Sequence, residues 1–124
     1  MRYMMLVYGE EFDLEDFPPE VLKASLAQFN AFHEEMARRG AMLAADRLQP
    51  SGTATTVKVR DGRVLTTDGP FADTKEQLGG IYVFEAQDLD EALEIAAKIP
   101  AAAAGSIEVR PIMEVAVEEG LAAE

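Results

Sequence analysis

Two short segments of this chain, Arg2–Tyr8 and Gly79–Glu85, are apolar on both of their alternating sides. In the first, Tyr3, Met5 and Val7 alternate with Met4, Leu6 and Tyr8; in the second, Ile81 and Val83 alternate with Tyr82 and Phe84. Successive side chains of a strand point to opposite faces of its sheet, so segments of this kind need cover on both sides. They are expected as central strands, and the rest of the chain has to supply the layers.

The intervening signals are consistent with that demand. Pro18-Pro19 opens a helix that runs to about Arg39, with Gly40 as its stop. Leu22, Leu26, Phe29, His33 and Met36 recur at helical spacing, which sets the single His inside an apolar stripe. Ala41–Leu48 reads as a second strand, and Thr53–Arg60 with Arg63–Thr67 as a hairpin around Asp61-Gly62. Asp88 with Glu91 is a capping pair for a helix to about Ile99; Pro100 stops it, and Ala101–Gly105 reads as a loop. Ser106–Val115 alternates as an edge or half-solvated strand should, and residues 118–124 read as a frayed tail.

Without the hairpin the order is β-α-β-β-α-β, the ferredoxin-like α+β unit, in which the first and third strands lie in the middle. These are the two doubly apolar segments. A chain of 124 residues makes one domain, placed at 1–117. Two helices cover one face of such a sheet only. At roughly 25 cal/mol per Å² of apolar area, leaving the other face wet costs many kcal/mol. A homodimer with sheets packed face to face is therefore expected.

Charge narrows the functional classes. Twenty-three acids against eleven Lys and Arg give a net charge of −12, which argues against nucleic acid and against an anionic membrane surface. With no Cys and one His, no thiolate chemistry and no tight metal site are expected. No phosphate-binding glycine loop or nucleophile elbow occurs, and no cofactor is expected. The acidic run Glu10, Glu11, Asp13, Glu15, Asp16 lacks the spacing of a calcium loop and reads as solvated. The apolar run at Tyr3–Tyr8 is too short for a membrane span or a signal peptide core, so a cytoplasmic protein is expected.

The stretch Asp68–Phe84 concentrates the remaining candidates. Asp68-Gly69-Pro70 is turn chemistry, Phe71 is placed to pin that turn to a core, and Asp73, Lys75, Glu76 and Gln77 can face a cleft. Gly79-Gly80 allows close backbone approach. For acid–base work the ionisable candidates are His33, Asp46 and Asp68. Ligand contacts are sought at Tyr8, Arg47, Gly69, Pro70, Phe71, Lys75, Gln77, Tyr82 and Arg110, with Arg47 or Arg110 suited to an anion. Each also has a plain structural reading: His33 as a core-lining His bonded to a backbone carbonyl or to Asp46, Asp68–Phe71 as a turn, the arginines as surface ion pairs, the tyrosines as core.

The opening RYMMLVYG, Leu48–Pro50, Thr53–Phe71, Thr74–Glu85, Asp88–Pro100 and Gly105–Ile112 together resemble the YCII-related proteins, specifically their DGPF-domain subgroup, over nearly the whole chain. The resemblance implies a dimeric α+β barrel and no established general activity. Some members of the subgroup are associated with extracytoplasmic-function sigma factors, which implies a possible regulatory partner. Wider YCII-type relatives are suspected of small-molecule enzymology with a His on the first helix and a nearby Asp. Counted back from Gly40, that His position falls on Phe29, and His33 stands one turn later.

Three functional readings follow. One is a homodimeric small-molecule-binding module; another is a cofactor-free acid–base enzyme of isomerase or hydrolase type using His33, Asp46 and Asp68. The third is a protein-interaction module that uses an exposed hairpin at Thr53–Thr67. The enzyme needs His33 and a carboxylate converging on one cavity, and the interaction module needs an apolar patch on the hairpin.

Overall fold

The computed structural model describes residues 1–115; the tail expected at 118–124 lies outside them. Its elements are β1 (Arg2–Gly9), α1 (Pro19–Arg39), β2 (Met42–Arg47), β3 (Thr55–Arg60), β4 (Arg63–Asp68), β5 (Gln77–Glu85), α2 (Leu89–Lys98) and β6 (Ser106–Pro111). Local chemistry sets their ends as expected. Gly40 closes α1 at φ 65°, giving its N–H to the carbonyls of Ala37 and Met36. Asp88 Oδ1 accepts the Glu91 N–H at 2.9 Å and Glu91 Oε1 accepts the Gln87 N–H at 2.9 Å, starting α2. Asp61 and Gly62, at φ 51° and 74°, form the left-handed pair that a two-residue hairpin turn needs.

Two segments differ from expectation. Pro100–Ala103 is a 3₁₀ turn and not an open loop, with the Ala102 N–H bonded to Ile99 O. β6 ends at Pro111 because its partner strand runs out: Pro111 faces Tyr3, and β1 begins at Arg2.

β1 and β5 lie in the middle of an antiparallel sheet of order β2-β5-β1-β6, while β3 and β4 form a separate two-stranded sheet. This is the ferredoxin-like α+β arrangement with a hairpin inserted between its second and third strands. The core lies between the four-stranded sheet and the helices. Tyr3 and Met5 of β1, Tyr82 and Phe84 of β5, Phe32 and Met36 of α1, and Ala92, Ile95 and Ala96 of α2 are buried together. Ile107 and Val109 of β6 pack against them. Phe84 is fully buried, stacked on Tyr82 at 5.5 Å and edge-on to Phe32 at 6.1 Å.

The buried stripe of α1 differs from the expected one. Phe32 and Met36 are its buried residues, whereas Leu26 is 61% exposed. The end of the sheet from which α1 starts carries Gly9, Gly79, Gly80 and Gly105, so the first turns have few side chains to pack on. These glycines serve backbone approach instead. A Cβ on Gly80 would sit 2.9 Å from the Asp46 carbonyl oxygen, and one on Gly105 would collide with that of Tyr8.

The sheet face away from the core is layered in rows. One row crosses Asp46, Ile81, Leu6 and Glu108, and the next Ala44, Val83, Met4 and Arg110. Among the described residues no helix covers these rows, and their centre is apolar while their edges carry the charges. Phe71 does not pin its turn to any core; it is 76% exposed.

Phe84→Ala is expected to cost about 3–5 kcal/mol in urea unfolding, as for a fully buried aromatic, and Phe71→Ala less than about 0.5 kcal/mol. Similar losses for the two would contradict the core described.

Candidate functional site

His33 stands on the flank of α1 that faces β2 and β5. Its Nε2 lies 3.0 Å from the hydroxyl of Tyr82, and the ring sits edge-on to Phe29 and tilted against Phe32. The structural partner of His33 is thus a phenol, where the sequence suggested a backbone carbonyl or Asp46. Tyr82 reaches it because residue 82 projects from the core face of β5, under α1.

Cross-strand register decides what joins this pair. Ala45 lies opposite Tyr82 and Arg47 opposite Gly80, so Arg47 is on the same face, diagonal to Tyr82 and within reach of a long side chain. Burial raises the Tyr82 pKa above its ordinary 10.0, and the positive charge of Arg47 partly opposes the rise. The phenol is therefore neutral at physiological pH and available as a hydrogen-bond donor. Arg47 is exposed and makes no ion pair among the described residues.

Asp46 is turned away. It lies opposite Ile81, which pairs with Leu6 on the uncovered face. The cause is a bulge in β2 between Met42 and Ala44: one extra residue moves every later side chain to the other face. Asp68 ends β4 on the separate hairpin sheet, is exposed, and makes no side-chain hydrogen bond among the described residues. The turn is held by backbone instead, with the Gly69 N–H to Ala54 O at 2.7 Å and Thr56 Oγ1 to Gly69 O at 2.9 Å. Gly69, at φ 100°, occupies a conformation that glycine alone adopts readily. The three acid–base candidates thus stand on three different surfaces.

The ligand candidates divide in the same way. Tyr82 is bonded to His33, and Arg47 shares its face of the sheet. Tyr8 and Arg110 belong to the uncovered sheet face, where Arg110 bonds Glu108. Gly69 is the hairpin root, and Pro70 and Phe71 line a small hollow of about 150 Å³ with Thr56, Lys58 and Thr67, Lys58 Nζ lying 5.1 Å from the Phe71 ring centre. Lys75 pairs with Glu10 at 3.3 Å, and Gln77 bonds the Thr74 carbonyl. A larger, shallow depression of about 420 Å³ lies on the other flank of α1, between Gln28, Phe32, Glu35, Lys98 and Pro100. Its charged groups satisfy one another, Lys98 Nζ to Glu35 Oε2 at 2.6 Å. The remaining group is His33 and Tyr82, bonded to each other, with Arg47 on the same face and without an ion pair among the described residues. Phe32, the aromatic floor beside it, was missed from the sequence although it precedes Met36 by one helical turn.

An α+β protein with this topology has clear relatives. The model of the YCII-related domain matches residues 1–116. An uncharacterised protein of Rhizobium meliloti (strain 1021) is 34% identical over 114 residues, covering 90% of this chain and 92% of that protein. The chain belongs to the YCII-related family. Among the described residues no helix is long and apolar enough to cross a membrane.

Because the folded pKa of Tyr82 is raised, the folded chain keeps the phenol proton longer than the unfolded chain. The stability this gives is complete below the ordinary value of 10.0 and is lost as pH rises through the folded pKa. Tyr82→Phe is expected to cost about 0.5–1.5 kcal/mol at neutral pH and to flatten the fall in stability above it. An unchanged alkaline slope in urea titrations would contradict the assignment.

Proposed function

We propose that this YCII-related protein is a homodimeric module that binds a small organic acid at the mouth between α1 and β2. The observation that carries the reading is the half-buried His33, bonded at 3.0 Å to the buried Tyr82, with Arg47 on the same face. A guanidinium grips a carboxylate through two parallel N–H donors, which fixes its orientation as well as its charge. Tyr82 and His33 then supply a neutral donor and a ring nitrogen for a second polar group on the ligand, and Phe29 an apolar wall. In a chain of net charge −12, a local cation in this mouth selects for anions against the field of the rest of the molecule.

Binding is favoured over acid–base catalysis because no carboxylate reaches His33 among the described residues. A base oriented by a carboxylate is what the enzyme reading requires. The homodimer rests on the uncovered sheet face, whose apolar centre of Met4, Leu6, Ile81 and Val83 is rimmed by Asp46, Glu108 and Arg110. An apolar middle with a charged border is the usual build of a protein–protein interface.

A thermal-shift panel of small mono- and dicarboxylic acids, each paired with its amide, tests the ligand class. An acid at one hundred times its Kd adds about 2.7 kcal/mol of stability. Arg47→Ala is expected to weaken that acid by about 10–100-fold, and the amides to bind no better than the variant does. Acids that bind Arg47→Ala as well as wild type, or a panel without a single binder, would reject the reading.

A further inference from the structure

The hairpin β3–β4 has two unlike sides. By register, Val57, Val59 and Val64 share one with Thr55, Thr66 and Asp68, while Lys58, Arg60 and Arg63 share the other with Thr56, Leu65 and Thr67. The second side holds three of the chain's eleven cations and no carboxylate. Although the chain has twenty-three acids, none of the three makes an ion pair among the described residues. Arg2, Arg39, Lys75, Lys98 and Arg110 all do. Arg60 and Arg63 also stand directly opposite each other beside the Asp61-Gly62 turn, and like charges so placed cost stability.

From tip to root, the rows on this side are Arg60–Arg63, Lys58–Leu65 and Thr56–Thr67. The last row borders the hollow of about 150 Å³ that Pro70 and Phe71 complete. Leu65 and Phe71 are 49% and 76% exposed. The side is therefore cationic at its tip and apolar at its root.

Its shape selects the class of partner. A small acid needs a concave site, and the ribbon is open except for that hollow. A nucleic acid strand would meet the field of a chain of net charge −12 and a single ring, Phe71, among the described residues of this side. An extended peptide fits better. Its alternate side chains repeat at about 6.7 Å, the spacing that separates one row of the ribbon from the next.

We propose that the Lys58–Arg60–Arg63 side of β3–β4 docks an extended acidic segment of a partner protein. Carboxylates two residues apart meet the arginine pair and Lys58, and an apolar side chain two residues further on covers the Phe71 hollow. A carboxylate set between Arg60 and Arg63 turns their repulsion into attraction to a shared partner. The proposal does not rest on the organic-acid site, whose Arg47 belongs to the four-stranded sheet.

The probe is a labelled peptide, Glu-Ser-Glu-Ser-Leu-Ser-Glu-Ser-Glu, which presents this spacing in either chain direction, read by fluorescence anisotropy. K58Q/R60Q/R63Q is expected to raise its Kd about tenfold or more in about 0.05 M salt, and wild type to weaken similarly in about 0.5 M. The rearranged peptide Glu-Glu-Ser-Ser-Leu-Ser-Ser-Glu-Glu should bind about threefold more weakly or worse. V57T/V59T/V64T, on the opposite side, and Arg47→Ala should each leave Kd within about twofold. Circular dichroism checks that the variants fold. A wild type that does not bind at about 1 mM overturns the proposal, as does a cation-side variant that binds like wild type. So does a valine-side variant as weak as the cation-side one, or a rearranged peptide that binds equally well. Binding lost in Arg47→Ala and kept in K58Q/R60Q/R63Q belongs to the organic-acid site and removes docking from the hairpin. A labelled oligothymidine that binds as tightly as the peptide, and is lost in the same variant, overturns the choice of a protein partner.

Discussion

The structure depends on one constraint, the need of β1 and β5 for apolar cover on both sides. Their core-facing rows, Tyr3 and Met5 beside Tyr82 and Phe84, are met by α1 and α2. That half of the requirement produces the fold. Their outward rows, Met4 and Leu6 beside Ile81 and Val83, are covered by no helix among the described residues. That half leads to the proposed second copy, because apolar centres of this kind are stable when dry.

The candidate site is a by-product of the same packing. Tyr82 is a core aromatic by its position on β5, yet its hydroxyl reaches the edge of the α1 layer and meets His33 there. Burial holds the phenol neutral, and a bulge one strand away decides that Arg47, and not Asp46, shares its face. A strand that kept its register through Leu43 would have presented the carboxylate to the helix side and made the enzyme reading the stronger one. One inserted residue separates a proposed anion-binding mouth from a His–Asp pair.

Much of the fold was legible because the signals were local. Asp61-Gly62, Pro18-Pro19, Gly40 and the Asp88–Glu91 cap each act within a few residues, and each stands where the sequence put it. The doubly apolar segments named the central strands without any knowledge of their partners. The candidate site was less legible because it depends on facing across elements. Nothing near His33 in sequence announces Tyr82, forty-nine positions away, and the β2 bulge has no Gly or Pro to mark it. Phe71 was misjudged for a related reason: the residue after a tight turn points inward only if the hairpin lies on a core, and this hairpin does not.

The most direct test of this account is the mass of the particle in solution, by light scattering at tens of micromolar. The proposed pairing requires twice the chain mass of 13.5 kDa, about 27 kDa, in wild type. A wild-type mass of 13.5 kDa at that concentration would mean that the outward rows of β1 and β5 stay wet, and the account built on covering them would be wrong.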